Sequence, residues 1–398
     1  NNQTVTVTGV DDIISDGHRE YVVGLTSEGH EIDEPEVTTL AGVGYQNTGT
    51  TNATAGNGAS AKFNYPYGIT SDGTNLYVAE QYNHRIRKIV ISTGEVTTFA
   101  GSSSGFYNGT GTAAKFKYPK GITSDENYLY VVDTNNHKIR QIEISSGVVS
   151  TLAGSGLGSA NGIGESASFY YPFGAISVGA YLYVTDSNNG KIRKIVKSTR
   201  EVSTFASGFS SPKGITSDGT NLYVANTNNH TIKKIEISTG AVSTFAGSTN
   251  GFYNGTGTAA KFSSPHKITT DGTNLYVADT GNNRIRKIVI SSGEVTTLAG
   301  SISGQLDANG TSAQFRSLKG IISVGSNLYI ADTNNHKIRE IAIGGTATAN
   351  LTMYNLDDDV NVTVDVSSSN TSEATVSPST LTFTPSNWNS NQAVTVTG

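Results

Sequence analysis

The chain has 398 residues and a formal net charge of −5, and 35% of its residues are hydrophobic, enough for a sizeable core. Its 45 glycines, 19 tyrosines and 15% charged residues favour strands and turns over helices. The absence of cysteine excludes a disulfide framework, a thiolate metal site and a cysteine nucleophile. No apolar run approaches the roughly 18 residues of a membrane span, so no span is predicted.

The first 36 residues are strongly acidic. They contain nine acidic residues and one basic residue, Arg19, and they begin with an alternating segment, Gln3-Thr-Val-Thr-Val-Thr-Gly9. Such alternation predicts a half-buried strand. Three aspartates follow this strand, at positions Asp11, Asp12 and Asp16.

Residues 37–343 contain six copies of one unit. A Leu-Tyr-Val/Ile triplet recurs with its tyrosine at 77, 130, 183, 223, 276 and 329, so the spacing is 53 residues except for one of 40. Each unit has four short β-rich runs separated by turn signals, and some runs, such as Leu76 to Ala79, are apolar on both faces. Six four-stranded sheets packed radially make a six-bladed β-propeller, so the fold class is all-β.

The phase of the units predicts how the ring closes. Residues 37–42 have the sequence of a unit's last run but precede the first complete unit, and the sixth unit ends after its third run, near Ile343. We therefore predict that residues 37–42 form the outer strand of the last blade. The fourth unit is 13 residues shorter than the others, and the missing residues belong to the connection between an outer run and the next inner run, which predicts a notch on that face.

Residues 344–398 contain five acidic residues and no basic ones, and their alternating valines again predict half-buried strands. Three consecutive aspartates lie here, at Asp357, Asp358 and Asp359. The last nine residues of the chain agree with the first nine at seven positions, so the end of the chain repeats its beginning. We interpret this overlap as what remains when one period is taken from a repetitive array.

The repeated unit resembles the NHL repeat. The residues that carry the likeness are the Asp that ends the second run, the Asn after it and the Lys/Arg-Ile pair, seen as Asp133, Asn136, Lys138, Ile139 and as Asp279, Asn282, Arg284, Ile285. The resemblance covers residues 37–343 and implies a propeller. Some NHL propellers bind RNA, but repeated exposed acids and the lack of an aromatic-rich basic stripe argue against a nucleic-acid partner.

The two flanks together resemble a Calx-beta domain, which is an immunoglobulin-like sandwich. The likeness rests on Leu381-Thr-Phe-Thr-Pro385, the closing Gln392–Gly398 segment, Val10-Asp-Asp and the segment from Asp16 to Leu25. It implies a split β-sandwich, with its first half in residues 344–398 and its second half in residues 1–36.

The residues that enter the inner runs predict what lines the central channel. They are Tyr67, Lys120, Phe173, Lys213, His266 and Lys319. No carboxylate is among them, which argues against a metal-dependent lactonase or lyase. Such a ring of side chains either holds an anion or forms a solvated rim, and the sequence leaves both open.

Other repeated residues have structural or binding interpretations. Exposed Tyr107 and Tyr253, in the long connections, suit contact with a sugar or a protein, whereas Phe116 and Phe262 are expected to fill the gaps between blades. The repeated histidines and the carboxylates that end the second run occur once per blade, so they cannot converge on one ion. We interpret them as turn residues and partners of nearby Arg or Lys. They are the histidines at 84, 137, 230 and 336 and the run-ending Glu80, Asp133, Asp186, Asp279 and Asp332, with Asn226 in the fourth unit.

The six flank aspartates are the best metal candidates, because clustered carboxylates repel one another unless a hard cation such as calcium or solvent screens them. Turn-forming aspartates on a solvated sandwich end are the alternative. No other cofactor is predicted.

These observations predict a non-catalytic repeat unit of an extracellular or cell-surface structural protein, a fibre or an adhesin. Copies would assemble head to tail through complementary sandwich halves, because one sandwich is expected to take the Gln-x-Val-Thr-Val-Thr-Gly strand only once. The alternatives are a module that binds glycans or other surface proteins on the loop-rich propeller face, and a propeller enzyme of the lyase or lactonase type.

Overall fold

The computed structural model describes residues 5–9, 22–27, 34–44, 48–54, 56–343, 346–354, 362–368, 375–384 and 392–397. The chain forms two compact units, Glu34–Ala342 and a second unit that joins Asn1–Asp33 to Ile343–Gly398. Within the described ranges, no helix is long and apolar enough to cross a membrane.

The larger unit is a ring of six antiparallel sheets, here called blades 1 to 6, each with strands a to d from the channel outwards. The b strands are buried from their second residue onwards because blades pack on both of their faces. In order a to d, the strands of the first three blades are Pro66–Ser71, Asn75–Glu80, Arg85–Val90, Val96–Ala100; Gly121–Ser124, Tyr128–Asp133, Lys138–Glu143, Val148–Ala153; and Pro172–Val178, Tyr181–Asp186, Lys191–Val196, Glu201–Ser207. Those of the last three are Pro212–Ser217, Asn221–Asn226, Thr231–Glu236, Val242–Ala246; Pro265–Thr270, Asn274–Asp279, Arg284–Val289, Glu294–Ala299; and Gly320–Val324, Asn327–Asp332, Lys337–Ala342, Glu36–Ala41.

The ring is closed by a strand from the start of the chain. Glu36–Ala41 is strand d of blade 6 and pairs antiparallel with Lys337–Ala342, with Val37 opposite Ile341. Val37 and Ala41 are fully buried. The two ends of the propeller are therefore held together by backbone hydrogen bonds and apolar packing.

The long connections between blades add a fifth, outermost strand to the blade that follows. These short strands are Gly109–Thr110 on blade 2, Gly162–Ile163 on blade 3, Gly255–Thr256 on blade 5 and Ala308–Asn309 on blade 6, and on blade 1 an isolated bridge joins Ala53 to Val96. The connections also contain the 3-10 turns Gly58–Ser60, Gly111–Ala113, Gly164–Ser166, Gly257–Ala259 and Gly310–Ser312. Further 3-10 turns join strands b and c, at Thr134–Asn136, Ser187–Asn189, Thr227–Asn229, Thr280–Asn282 and Thr333–Asn335.

The apolar core lies between the blades. One cluster joins Tyr77 and Ala79 of blade 1 to Ile122 and Leu129 of blade 2, with Phe116 between them. Phe116 and Phe262 are both fully buried, which confirms that they fill the gaps between blades.

Glycine brings the inner strands close together. The third residue of the Pro-x-Gly segment is Gly68, Gly121, Gly174, Gly214 or Gly320 in five blades. A Cβ atom at any of them would lie only 2.2–2.3 Å from a backbone carbonyl oxygen of the next blade, well within the van der Waals contact distance. The spacing of the inner strands, and with it the width of the channel, therefore depends on these residues.

The second unit contains two antiparallel sheets built from both ends of the chain. One has the order Val5–Gly9, Val362–Ser368, Thr380–Phe383, and the other Val22–Ser27, Thr346–Tyr354, Gln392–Thr397, Thr375–Ser377. Strands from the first 27 residues thus pair with strands of the last 55 within one chain.

The expectation that one sandwich takes the repeated end segment only once is wrong. The copy at the start of the chain pairs with Val362–Ser368, and the copy at the end pairs with Thr346–Tyr354 in the other sheet. Because the two copies lie in different sheets, neither is surplus.

Candidate ligand-binding site

The central channel collects the basic side chains of the inner strands. It is lined by residues of all six a strands, including Lys120, Lys213, Lys267 and Lys319, and encloses about 230 Å³, part of it open to solvent. Its free centre is on the order of one water molecule in size. Among the described residues that line it, none is a carboxylate. The channel therefore presents four amines to a narrow space without an internal counterion.

His266 lines the same channel and is not solvated as a rim residue would be. It is only 2% exposed, and its ring meets those of Tyr67 and Phe173 edge to face at centroid distances of 5.3 and 4.9 Å. Burial and the nearby lysines hold the pKa of His266 well below its usual value, so the imidazole is neutral. Burial raises the pKa of Tyr67, so its hydroxyl stays protonated, and it forms a hydrogen bond of 3.0 Å with Nε2 of His266.

The lysines are held in an environment that disfavours their charge. Burial, with repulsion from Lys213, lowers the pKa of Lys120 to about 8, and burial with repulsion from Lys213 and Lys120 lowers that of Lys319 to about 8. Burial alone lowers the pKa of Lys267 to about 8. Aromatic rings supply part of the missing stabilisation, since Nζ of Lys120 lies 5.0 Å and Nζ of Lys213 lies 5.5 Å from the centroid of Phe173. An anion in the channel would offset both the burial and the mutual repulsion.

Lys267 is the site residue that the sequence reasoning missed. It occupies the position that is glycine in the other five blades, and it lines the channel. The signal was present in the sequence, because Pro265-His-Lys267 departs from the Pro-x-Gly pattern.

Tyrosines stand just before the inner strands in one half of the ring. The residue before the inner strand is Tyr65, Tyr118 or Tyr171 in blades 1 to 3 and serine in blades 4 to 6, and all six have positive φ. Tyr82, in the first b–c turn, is exposed and packs against Tyr65 and Tyr118 at centroid distances of 4.5 and 5.5 Å. One half of the ring thus carries tyrosines just before its inner strands, next in sequence to the residues that line the basic channel.

Tyr107 and Tyr253 lie on the long connections, 59% and 60% exposed, and neither is among the lining residues of the channel. Their backbone carbonyls accept hydrogen bonds from the buried side chains of Arg140 and Arg286, at 3.1 and 3.0 Å. The structure therefore brings Lys120, Lys213, His266 and Lys319 together and leaves the two tyrosines on the outer loops.

The buried arginines anchor these connections. Arg140 donates from Nη1 to Asp133 at 3.0 Å and to the Lys115 carbonyl at 3.1 Å, and from Nη2 to Tyr107 O and to Oδ1 of Asn108. Its ion pair with Asp133 is fully buried. Equivalent buried pairs occur in four other blades, which confirms that the carboxylates ending the b strands are partners of a nearby Arg: Arg87–Glu80, Arg193–Asp186, Arg286–Asp279 and Arg339–Asp332.

The histidines that follow the Asn pairs connect neighbouring blades. Nδ1 of His137 accepts the backbone N–H of Tyr171 at 3.1 Å, and Nδ1 of His230 accepts that of Ser264 at 3.0 Å. Both histidines have left-handed backbone, as expected of turn residues. Their bond to the next blade was not expected from the sequence.

The calcium candidates Asp11, Asp12, Asp16, Asp357, Asp358 and Asp359 lie outside the described residues. Within the part of the chain that the structure describes, no group of three or more His, Cys, Asp or Glu could hold a metal ion.

Known proteins share the repeat. A model described as a repeat of unknown function, DUF6923, matches residues 104–264. NHL repeat-containing protein 2 of Gallus gallus is 35% identical over 96 residues, 23% of this chain and 13% of that protein. The Homo sapiens protein of the same name is 26% identical over 337 residues, 69% of this chain and 46% of that protein. Residues 34–342 form an NHL-repeat propeller.

This chain spans less than half the length of these curated NHL repeat proteins. Solved structures share the NHL propeller's architecture. A protein of unknown function from Bacteroides thetaiotaomicron superposes with a TM-score of 0.61 at 22% identity, covering 81% of this chain and 76% of that one. An auxiliary nutrient binding protein of the same organism superposes with a TM-score of 0.60 at 20% identity, covering 78% of this chain and 76% of that one. A gluconolactonase from Xanthomonas campestris superposes with a TM-score of 0.53 at 12% identity, covering 80% of this chain and 94% of that one. At these identities the likeness shows the fold alone.

Proposed function

We propose that this chain is a non-catalytic binding module whose propeller holds an acidic glycan at the tyrosine-lined mouth of its channel. The observation that carries the proposal is the set of four lysines in the channel, with no carboxylate among its described lining residues. Uncompensated, partly buried ammonium groups favour an anionic ligand, because it supplies charge-assisted hydrogen bonds that the protein does not.

The tyrosines support the proposal that the anionic ligand is part of a sugar. The rings of Tyr65, Tyr82 and Tyr118 offer apolar surfaces with polar tips beside the mouth, where a sugar ring attached to the bound acid would lie. Because the channel centre is about the size of one water molecule, only the acidic group would enter it. The rest of the glycan would remain on the loop face.

Binding should require the channel lysines specifically. Titration calorimetry with a galacturonate oligomer is expected to show binding that Lys120→Gln weakens by about tenfold or more, through the loss of one charge-assisted hydrogen bond. Lys117→Gln is the matched control, since Lys117 lies three residues away and is exposed. Equal loss in both variants, or equal binding of a neutral oligomer of the same length, would contradict an anion site in the channel.

Binding should also depend on pH. Three channel lysines have pKa values of about 8 in the folded chain, against 10.5 for an ordinary lysine, so they lose charge as the pH rises through 8. Sulfate is therefore expected to raise the melting temperature more at pH 7 than at pH 9. Without sulfate, the effect of pH has the opposite sign. Between pH 8 and 10.5 the unfolded chain binds more protons than the folded chain, so these lysines make the free energy of unfolding rise with pH over that interval. A sulfate effect that does not change with pH would argue against these lysines.

For the second unit we propose a Calx-beta-like domain. Its support is the sequence likeness of the flanks together with the three-stranded and four-stranded antiparallel sheets of the described residues. Calcium binding by the six flank aspartates, an extracellular location and head-to-tail assembly into a fibre remain predictions. The pairing of both flanks within one chain means that their described ladders need no neighbouring copy.

A further inference from the structure

Blade 4 differs from the other blades at its outer edge. Residues 201–265 are all described, and strand d of this blade, Val242–Ala246, has no fifth strand beside it. The connection that would supply one is missing the 13 residues present elsewhere. The predicted notch is therefore an uncovered strand edge.

The uncovered edge exposes an apolar side chain that is buried elsewhere. Val242 is 44% exposed, whereas the valine at the same place in strand d is 0–1% exposed in the other five blades: Val37, Val96, Val149, Val202 and Val295. In blade 1 the N–H of Val96 donates to the Ala53 carbonyl at 2.9 Å, and the Val96 carbonyl accepts the N–H of Ala53 at 3.0 Å. The backbone groups of Val242 face outwards in the same way, with no strand to receive them.

The residues that anchor the connection have changed together with it. In blade 4 the buried arginine is replaced by Lys233, which donates instead to Thr244 at 2.7 Å at an exposed position, and the carboxylate is replaced by Asn226. Nδ2 of Asn226 is buried and has no hydrogen-bond partner within the described part of the chain. The loss of the loop is thus accompanied by loss of its anchor.

The edge also lacks the charge that usually prevents strand pairing. Four of the other d strands carry Glu at the position before the valine, at Glu36, Glu95, Glu201 and Glu294, and blade 4 has Ala241 there. Segment 241–245 reads Ala-Val-Ser-Thr-Phe and contains no charged residue. Exposed edges in soluble proteins are normally blunted by charge, proline or a cover, and segment 241–245 itself supplies none of these; the one cation on it is that of Lys233, from the neighbouring strand, which bonds Thr244.

We propose that this edge pairs with the same edge of a second copy of the chain. The backbone N–H and C=O groups of alternate residues in an edge strand point outwards. A twofold axis that passes through Ser243 and pairs the two strands antiparallel places Val242 of each copy opposite Thr244 of the other. Each such pair exchanges two backbone hydrogen bonds, so the arrangement gives four. With alanine at position 241, this arrangement places no acid against the edge of the partner, whereas the other d strands with Glu would place a carboxylate there. The pairing buries Val242 and joins two blades into one sheet.

The test is the mass of the 398-residue chain by sedimentation over a range of concentrations. A dimer in equilibrium with monomer is expected. Val242→Pro removes an outward N–H that makes no intrachain ladder bond and should weaken the dimer by at least about tenfold. Ser243→Lys should do the same by placing two like charges opposite each other.

Ser150→Lys is the matched control, since Ser150 is the exposed equivalent of Ser243 on blade 2, whose edge is covered. It should leave the dimer intact. A chain that is monomeric at every concentration overturns the proposal, as does a dimer that survives both edge substitutions or is equally weakened by Ser150→Lys. Circular dichroism of Ser243→Lys, a substitution at an exposed site, establishes that the edge was tested in a folded propeller.

Discussion

Replacing Arg140 with alanine is expected to lower the free energy of unfolding by about 3–5 kcal/mol, because it leaves the fully buried carboxylate of Asp133 without its cation. The same change removes the bonds that Arg140 donates to the connection before blade 2. Denaturant unfolding followed by tyrosine fluorescence measures the loss. Hydrogen exchange should show faster exchange in residues 105–116 than elsewhere.

Blade 4 supplies the matched control for Arg140→Ala. Lys233 stands at the same place in its blade but donates only to Thr244 at an exposed position, so Lys233→Ala should cost about 0.5 kcal/mol or less. Similar losses in the two variants would contradict the assignment of the buried pair as the anchor.

Val37→Asp should open the ring. The side chain of Val37 is fully buried between blades, and its strand is the one that pairs the start of the propeller with its last blade. An unpaired carboxylate there is expected to lower the free energy of unfolding by at least about 3 kcal/mol. Glu36→Gln, at an exposed neighbouring residue, should change it little.

The comparison with blade 1 separates closure from simple burial. Val96 occupies the same place and is equally buried, but its blade is continuous in sequence. Val96→Asp should raise hydrogen exchange mainly in blade 1, whereas Val37→Asp should raise it on both sides of the seam, in blades 6 and 1. Exchange confined to blade 6 in Val37→Asp would show that the ring does not depend on this strand.

The six blades could be predicted from the sequence because each repeats one pattern of apolar runs and turns, and the NHL-type propeller is confirmed. The sequence also indicated which residues stand at the channel, since position within a repeat fixes position around the axis. It did not indicate how deeply they lie. The 2% exposure of His266 results from the packing of Tyr67 and Phe173 against it, from blades 1 and 3, and a repeat pattern contains no such cross-ring information.

Departures from the repeat proved more informative than the repeat itself. Lys267 stands where the other blades have glycine, and Lys233 with Asn226 stands where they have a buried ion pair. Each is visible in an alignment of the six units, but its meaning requires the contacts made by the residue it replaces. The likeness of the two flanks to one sandwich indicated that the chain ends complement each other, but it did not fix whether they pair within one chain or which strands are neighbours, because strand order within a sheet is set by tertiary packing.

Each turn histidine accepts a hydrogen bond from the next blade, and these bonds bear on how the propeller unfolds when it is heated. An open solenoid has terminal repeats that fray first, and its stability is close to a sum over neighbours. In this ring the last blade is joined to the first by the same kind of hydrogen bond that joins other neighbouring blades, since Nδ1 of His336 in blade 6 accepts the backbone N–H of Tyr65 before blade 1 at 3.1 Å. With no end repeat to peel away, thermal denaturation of residues 34–342 should be a single cooperative event, without blade-by-blade intermediates.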